Sequence, residues 1–185
     1  MSKIIIGITG KNSSGKTTLT EYLKQKYNAT SFRFSDPLSD ILKRIYLPTT
    51  RPNLQTLSTI LRQNFSEDLL SKTISEDAKN ATTRVVVCEG VRRPTDITYL
   101  KANPGFKLIA LSATPENRYS RLKNRGEKPD DATKTWENFS QEENQESETK
   151  IDEIAATANF TIDNNSDKEN LLRQIDEIIA KLNAN

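Results

Sequence analysis

Apolar residues along this chain fall into short unbroken runs, separated by longer stretches in which they recur at helical spacing. The first run, from Ile4 to Ile8, is rich in isoleucine, and a short apolar run bounded by polar residues is typical of a buried parallel strand. On this pattern we predict strands over residues 3–8, 30–34, 84–88, 106–111 and 159–162.

The stretches between these runs predict helices. Pro37 and Pro115 each mark a helix start, because proline costs nothing in the first turn, where its missing N–H would be unpaired anyway. We predict helices that end near residues 27 and 80, helices that start near 51 and 115, and helices over 36–46, 95–102, 135–156 and 167–182, with a polar loop over 126–131. Strands that alternate with helices indicate βαβ units and therefore an α/β fold with a parallel sheet.

Composition limits the possible partners and reaction types of the protein. The chain has 185 residues, which suits one domain, and its net charge of +2 predicts no nucleic-acid partner. No apolar stretch is long enough to span a bilayer, so we expect no membrane partner and a cytoplasmic location. Histidine is absent, which excludes nucleophile schemes that use a histidine base, and the single cysteine, Cys88, is expected to be a buried apolar residue.

The segment between the first strand and the first helix carries the clearest chemistry. It fits the pattern G-x-x-x-x-G-K-[ST], in which backbone N–H groups cradle phosphates and the helix dipole points at them. Lys16 is expected to reach the β- and γ-phosphates, and the Thr17 hydroxyl to ligate Mg²⁺. We therefore predict ATP and magnesium as cofactors, with a phosphate-binding segment formed by Gly10, Lys11, Asn12, Ser13, Ser14, Gly15, Lys16, Thr17 and Thr18.

Four motifs in order extend the pattern over nearly the whole chain: residues 10–18, 35–37, 89–92 and 118–126. With them the chain resembles the P-loop nucleoside monophosphate kinase group, in particular deoxynucleoside monophosphate kinases, dephospho-CoA kinases and archaeal adenylate-kinase-like proteins. The resemblance implies a three-layer P-loop NTPase fold: a five-stranded parallel sheet with helices on both faces, in one domain over 1–185. It also implies acceptor-binding helices at about 36–80 and a lid at about 118–150.

The resemblance implies roles for three arginines at the start of the lid. Arg118, Arg121 and Arg125 match the family's pattern, in which such arginines neutralise the transferring phosphoryl group and pack near the adenine. Their spacing of i, i+3 and i+7 puts all three on one helix face. We predict that Arg121 and Arg125 act in catalysis and that Arg118 binds the nucleotide, the alternative being a solvated basic face.

The resemblance also implies an acceptor site. Asp36 matches the residue that contacts the acceptor hydroxyl in dephospho-CoA kinases, although an aspartate before proline also suits a helix start. Arg51, Gln55 and Arg62 project from one side of a helix, where the arginines would hold a phosphate and Gln55 would read a base edge. Arg92 is expected to clamp the acceptor phosphate and to act in catalysis.

Two positions and one segment depart from the family or have a second interpretation. Glu89 stands where relatives carry an aspartate in the Mg²⁺ shell, so we predict a metal role for it in spite of its longer side chain. Asn164 lies in the loop that lines the adenine site in the family, or in a simple turn. Residues 140–146 contain no arginine, whereas the adenylate-kinase-like relatives carry an Arg-Asp-rich stretch there.

The sequence therefore predicts an ATP-dependent phosphotransferase that acts on a nucleoside monophosphate or deoxynucleoside monophosphate. Its partner is a small-molecule nucleotide acceptor, and the chain is expected to be a monomer or a homodimer. A dephospho-CoA kinase is the first alternative. A P-loop ATPase, or a nucleotide-binding module without kinase turnover, is the second.

Overall fold

The parallel sheet is the centre of the fold. The computed structural model describes residues 2–125, 133–143 and 146–184, with side chains described for 2–124, 133–141 and 150–184. The sheet has the strand order β2-β3-β1-β4-β5, and every neighbouring pair is parallel. The strands are β1 (Ile4–Thr9), β2 (Thr30–Arg33), β3 (Val85–Val91), β4 (Phe106–Ser112) and β5 (Phe160–Asp163).

Helices cover both faces of this sheet. They are α1 (Lys16–Tyr27), α2 (Asp36–Arg44), α3 (Arg51–Asn64), α4 (Leu69–Asn80), α5 (Pro115–Arg125), α6 (Trp136–Glu143), α7 (Glu146–Ala155) and α8 (Lys168–Ala184). Because side chains alternate along a strand, Ile6 of β1 packs on the α1 and α8 face, whereas Ile5 packs on the α4 face. The predicted three-layer fold, with a five-stranded parallel sheet and helices on both faces, is confirmed.

The buried position of Cys88 matches the sequence analysis. Cys88 lies in the core on β3, where burial raises the pKa of its thiol to about 12, so it behaves as an apolar residue. Among the residues that the structure describes, no helix has the length and apolar character needed to cross a membrane.

The predicted helix over 95–102 is wrong. The chain there forms two short 3₁₀ segments, Pro94–Ile97 and Leu100–Ala102. Polar contacts hold the segment in this form: the Asp96 carboxylate accepts hydrogen bonds from the backbone before it, and the backbone N–H of Tyr99 donates to Ser71 Oγ at 3.2 Å. Local side-chain hydrogen bonds of this kind compete with an α-helical ladder.

The predicted single helix over 135–156 is described as two helices, α6 and α7, on either side of residues 144–145, which lie outside the described part of the chain. The predicted polar loop over 126–131 lies outside it as well. The other boundaries differ from the predicted ones by a few residues, as at β3, which continues to Val91 and so carries Glu89 inside the strand.

Sheet order decides where a site can form. The central strand β1 lies between β3 and β4, so the carboxyl ends of these strands meet at one edge. Ligands of open α/β sheets bind in the crevice at this edge, where the strand order reverses. The segment that follows β1 and the residues at the end of β3 are therefore brought together by topology.

Candidate functional site

The segment between β1 and α1 forms a tight phosphate-binding loop, the P-loop. Gly15, just before α1, has a φ of 103°, a conformation that side chains other than glycine rarely adopt. A Cβ atom at this position would lie 2.3 Å from the Asn164 side-chain nitrogen, so both the backbone and the space demand glycine. The sequence pattern therefore matches a real geometric need.

The polar groups of the P-loop suit an anion. Lys16 Nζ donates to the carbonyl oxygens of Gly10 at 2.7 Å and Lys11 at 2.8 Å, which holds its charge across the loop. The Oγ atoms of Ser13 and Ser14 are buried and have no hydrogen-bond partner in the described residues. Buried polar groups are normally paired, so unpaired hydroxyls beside a lysine fit a phosphate ligand.

A cavity of about 680 Å³ opens in front of this loop. The P-loop with the start of α1, the end of β3 with the residues after it, and one face of α3 line it, together with residues from the end of β2, from α2, from α4 and from α6. The predicted site residues that it brings together are Asn12, Lys16, Thr17, Arg51, Gln55, Arg62, Glu89 and Arg92. Its volume lies in the range typical of small-molecule sites.

Glu89 and Thr17 form the oxygen-rich side of the cavity. Glu89 is only 7% exposed; its Oε2 lies 3.4 Å from Arg33 Nε, and its buried Oε1 has no hydrogen-bond partner in the described residues. A hydroxyl and an unpaired carboxylate oxygen suit Mg²⁺, which typically takes one or two protein oxygens and completes its shell with phosphates and water. The two predicted metal residues therefore fit the ion.

Arg62 is deeply engaged with protein groups. Its Nη2 lies 3.1 Å from Asp96 Oδ1, its Nη1 donates to the Glu67 carbonyl oxygen, and its Nε donates to Ser58 Oγ at 3.4 Å. The side chains of Arg62 and Asp96 are 9% and 4% exposed. The structure thus brings Arg62 to the cavity wall, as predicted, but in a buried ion pair.

Asp96 is a site residue that the sequence analysis missed. Its second oxygen, Oδ2, accepts hydrogen bonds from the backbone N–H groups of Arg92 at 2.9 Å and Arg93 at 3.0 Å. The signal available in the sequence was an acidic residue three positions after Arg93, the spacing of a capping box, although Arg93 is not a usual first residue of that motif. The predicted α-helix over 95–102 hid this signal.

Two of the predicted acceptor arginines carry free charge at the cavity, and Arg93, which also lines it, has no guanidinium partner in the described residues either. Arg51, at the start of α3, and Arg92, just after β3, both line the cavity and are exposed. Within the part of the chain that the structure describes, neither guanidinium group has a hydrogen bond or an ion pair. They can therefore bind an anionic ligand without breaking an existing contact.

The lid arginines differ among themselves. Arg118 is 2% exposed; its Nε donates to the Ala113 carbonyl oxygen at 3.0 Å, and its guanidinium lies 5.5 Å from the centre of the Phe139 ring, which lines the cavity. Arg121 Nη2 donates to the Asn164 carbonyl oxygen at 2.7 Å, while its Nη1 is buried without a partner in the described residues. The side chain of Arg125 lies outside the described residues.

Asn164 ties the loop after β5 to the P-loop. It is buried, its backbone N–H donates to Ser112 O at 2.8 Å, and its side-chain Nδ2 donates to Ser14 O at 2.8 Å. A role in shaping the nucleotide site through the P-loop backbone is therefore visible. Direct contact with adenine stays a prediction.

Asp36, Thr18 and Lys11 are not among the residues that line the cavity. Asp36 is half-buried at the start of α2, and its Oδ2 accepts a hydrogen bond from Arg33 N–H at 2.7 Å, which suits a helix start; the neighbouring Ser35 lines the cavity. Burial, together with the charges of Asp36 and Asp40, raises the pKa of Asp77.

Thr18 is exposed on α1, and Lys11 of the P-loop pairs with Asp152 of α7 at 2.9 Å.

A parallel sheet of this order, with a P-loop after its central strand and a cavity at the carboxyl ends, defines a P-loop kinase-like fold. Shikimate kinase from Bacteroides thetaiotaomicron shares this fold with a TM-score of 0.68; the match covers 96% of this chain and 98% of that protein at 17% sequence identity. At this identity, the likeness establishes the fold alone.

The chain belongs to the UPF0200 protein family. It is 30% identical over 183 residues to UPF0200 protein MJ1399 of Methanocaldococcus jannaschii, a match that covers 97% of this chain and 90% of the relative. A UPF0200 protein of Thermococcus onnurineus is 29% identical over 184 residues, with 97% and 98% of the two chains covered. Residues 6–151 also match the family described as an AAA domain.

Proposed function

We propose that this protein is an ATP-dependent phosphotransferase whose acceptor is a nucleoside monophosphate or a deoxynucleoside monophosphate. The observation that carries the proposal is that one cavity joins the P-loop to the guanidinium groups of Arg51 and Arg92, which have no partner among the described residues. A kinase whose acceptor bears a phosphate needs cationic groups beside the P-loop to bind that phosphate, and these two arginines are suited to it.

On the ATP side, the P-loop N–H groups and Lys16 bind the β- and γ-phosphates, and the start of α1 adds its positive dipole end. Thr17 and Glu89 are the residues that would hold Mg²⁺, which when bound neutralises phosphate oxygens. Asn164 keeps the P-loop backbone in place through Ser14. Arg118 is assigned to the nucleotide and Asn164 to the adenine side, as the family resemblance implies.

On the acceptor side, Arg51 and Arg92 bind the phosphate of the acceptor through charge-assisted hydrogen bonds. Gln55 lies one turn along α3 from Arg51 and lines the same cavity, so its amide can donate to and accept from a base edge. Asp36 is the candidate contact for an acceptor hydroxyl, and the dephospho-CoA kinase alternative depends on it.

The reaction is a direct transfer. A phosphate oxygen of the acceptor attacks the γ-phosphorus of ATP, the bond from that phosphorus to the bridging oxygen breaks, and ADP leaves with the electron pair. Lys16, Arg121 and Arg125 offset the negative charge of the transferred group, and the walls of the cavity exclude water. The residues supply position and charge, and no covalent intermediate on the protein is required.

The test is a coupled ADP-release assay with Mg-ATP and a panel of acceptors, with a control that has no acceptor. The panel holds the ribo- and deoxynucleoside monophosphates and dephospho-CoA. Release that depends on one or more monophosphates supports the proposal. Release with dephospho-CoA alone supports the first alternative, equal release without acceptor indicates an ATPase, and no release contradicts kinase activity on this panel.

A further inference from the structure

We propose that Asp96 is a positioning residue that sets the acceptor-phosphate subsite, and that Arg62 acts through Asp96 and does not itself bind the acceptor. This inference rests on the proposed function. Asp96 lies in none of the four motifs. Arg62 then holds Asp96 in place, whereas its position on α3 suggests that it binds the acceptor phosphate.

Asp96 joins two separate parts of the subsite. One carboxylate oxygen is paired with Arg62 of α3, and the other accepts the backbone N–H groups of Arg92 and Arg93 after β3. The carboxylate therefore joins α3 to the segment after β3, which are two walls of the cavity. Three hydrogen bonds to a carboxylate that is 96% buried hold these walls at a set separation.

Arg62 has little capacity left for a ligand. Each of its three guanidinium nitrogens has a partner: Ser58 Oγ, the Glu67 carbonyl oxygen and Asp96 Oδ1. Binding a phosphate would require Arg62 to leave a buried carboxylate unpaired, which is costly. Arg51 and Arg92 have no such contacts to lose in the described residues, so they are the better anion ligands.

The pair also sets the charge of the subsite. While Arg62 and Asp96 neutralise each other, the positive charge on the acceptor side of the cavity comes from Arg51, Arg92 and Arg93, which all line it. If Arg62 is removed alone, a buried carboxylate remains next to Arg92 and repels the acceptor phosphate. If both charges are removed together, this repulsion disappears.

The two possible roles of Arg62 predict different acceptor affinities for a double variant. If Arg62 acts by neutralising and positioning Asp96, then Asp96→Asn added to Arg62→Met restores part of the lost acceptor affinity, because the unpaired carboxylate is removed. If Arg62 binds the acceptor phosphate directly, the second substitution restores nothing, because the ligand group is already gone. A double-mutant cycle therefore separates bracing from binding.

The experiment compares the full-length protein with Asp96→Asn, Arg62→Met, Arg62→Lys and the Arg62→Met/Asp96→Asn double variant. KM for the acceptor and for ATP, kcat and the thermal midpoint are measured for each, using the acceptor that the panel identifies. Acceptor binding without turnover is measured by titration calorimetry on the same proteins. The matched control is the exposed pair of α8, Arg173 and Glu177, neutralised as Arg173→Met and Glu177→Gln.

We expect Asp96→Asn and Arg62→Met each to raise the acceptor KM and Kd about 10- to 100-fold, because each breaks buried hydrogen bonds to a charged group. The ATP KM should change less than about threefold, since the hydrogen bonds seen for this pair go to Ser58, Glu67 and the backbone after β3. Arg62→Lys should give a smaller rise, and the double variant should bind the acceptor at least about threefold more tightly than Arg62→Met. The α8 control variants should match the wild type.

Three results would overturn the inference: an unchanged acceptor KM in Asp96→Asn, an equal rise of both KM values, or a double variant no better than Arg62→Met. If Asp96→Asn does not fold, the same KM comparison between Arg62→Lys and Arg62→Met decides. A wild type that transfers phosphate while Asp96→Asn behaves normally refutes this inference alone. A wild type that neither transfers phosphate to nor binds any acceptor refutes the proposed function as well.

Discussion

The two halves of the cavity are built in different ways. The nucleotide half comes from one contiguous segment, the P-loop, which follows a strand whose six residues are all buried. The acceptor half comes from the end of β2, from α3 and from the residues after β3, and α3 buries none of its residues fully. Fully buried apolar packing therefore supports the first half, whereas the second combines partly buried leucines of α3 with polar contacts such as the Arg62–Asp96 pair.

This difference has a consequence for function. A contiguous loop anchored on a buried strand keeps its shape whether or not a ligand is present, so it suits a nucleotide that every turnover requires. The acceptor half, which is held by exposed helices and ion pairs, can shift to enclose an acceptor at a modest cost in free energy. Substitutions in the first half should affect chemistry and ATP, and those in the second should affect the acceptor.

The largest expected effect is in the nucleotide half. Lys16→Ala should lower kcat by about 10²- to 10³-fold, because it removes a positive charge from the developing transition state. The thermal midpoint should fall by only a few degrees, because the hydrogen bonds lost to the Gly10 and Lys11 carbonyls lie within the loop and outside the buried core. Acceptor-dependent ADP release measures the loss, and Lys24→Ala on the exposed side of α1 is the control. Wild-type kcat in Lys16→Ala would refute the assigned mechanism.

In the acceptor half, Arg92→Ala should lower kcat/KM for the acceptor about 10- to 100-fold, because a charge-assisted hydrogen bond to phosphate is lost. The KM for ATP should not change. Steady-state kinetics with each substrate varied in turn gives both values. Arg44→Ala at the exposed end of α2 should have no effect, and a rise in the ATP KM of Arg92→Ala would remove the distinction between the halves.

Two glycines that line the two halves form a matched pair. Gly15→Ala should destabilise the fold by about 2–3 kcal/mol, because strain at its positive φ adds to a contact of its new Cβ with Asn164. Gly90 has a φ of 85° but no atom within 4 Å of a new Cβ, so Gly90→Ala should cost only about 1 kcal/mol. Urea unfolding compares them, and equal losses would show that the Asn164 contact does not matter.

Glu89 tests the metal role. Glu89→Gln should raise the Mg²⁺ concentration needed for half-maximal ATP binding by about 10-fold, since a neutral amide holds the ion's shell less well. Calorimetric titration of ATP at several Mg²⁺ concentrations measures the shift, and Glu153→Gln, on the exposed side of α7, serves as the control. An unchanged Mg²⁺ requirement would mean that Glu89 serves the fold and not the ion.

The smallest effect lies far from the cavity, between α1 and α8. Although burial opposes the shift, hydrogen bonds from Lys26, Tyr27 and Tyr22 hold the pKa of Asp176 below its usual range. A lowered folded-state pKa means that this stabilisation is present above about pH 4 and is lost as pH falls through the folded-state value. Asp176→Asn should therefore cost about 1 kcal/mol at pH 7 and less at acid pH.

Thermal unfolding between pH 3 and pH 7 measures that difference. Kinetic constants of Asp176→Asn should equal those of the wild type, since its partners lie outside the cavity. A variant whose stability deficit is the same at every pH would show that the carboxylate is not the source of the stabilisation.

The fold and the nucleotide half were largely predictable. Short apolar runs mark strands because a strand buried on both faces has no room for polar side chains, and the P-loop pattern marks a backbone shape that Gly15 makes possible. The short segment after β3 was mispredicted as a helix, because apolar spacing alone does not reveal that Asp96 and Ser71 bond its backbone. These bonds join residues from different elements.

The sequence by itself determined what local chemistry demands: the order of strands and helices, the phosphate-binding loop, and the residues of the P-loop and of α3 that face one cavity. Only the tertiary structure decided which arginines are free. The sequence alone does not distinguish the side chains of Arg51, Arg62 and Arg92. In the structure the buried carboxylate of Asp96, 34 positions along the chain from Arg62, pairs with the guanidinium group of Arg62 and not with the other two. The charge available to a ligand depends on such long-range pairing, because a buried ion pair cancels a charge that an exposed side chain keeps.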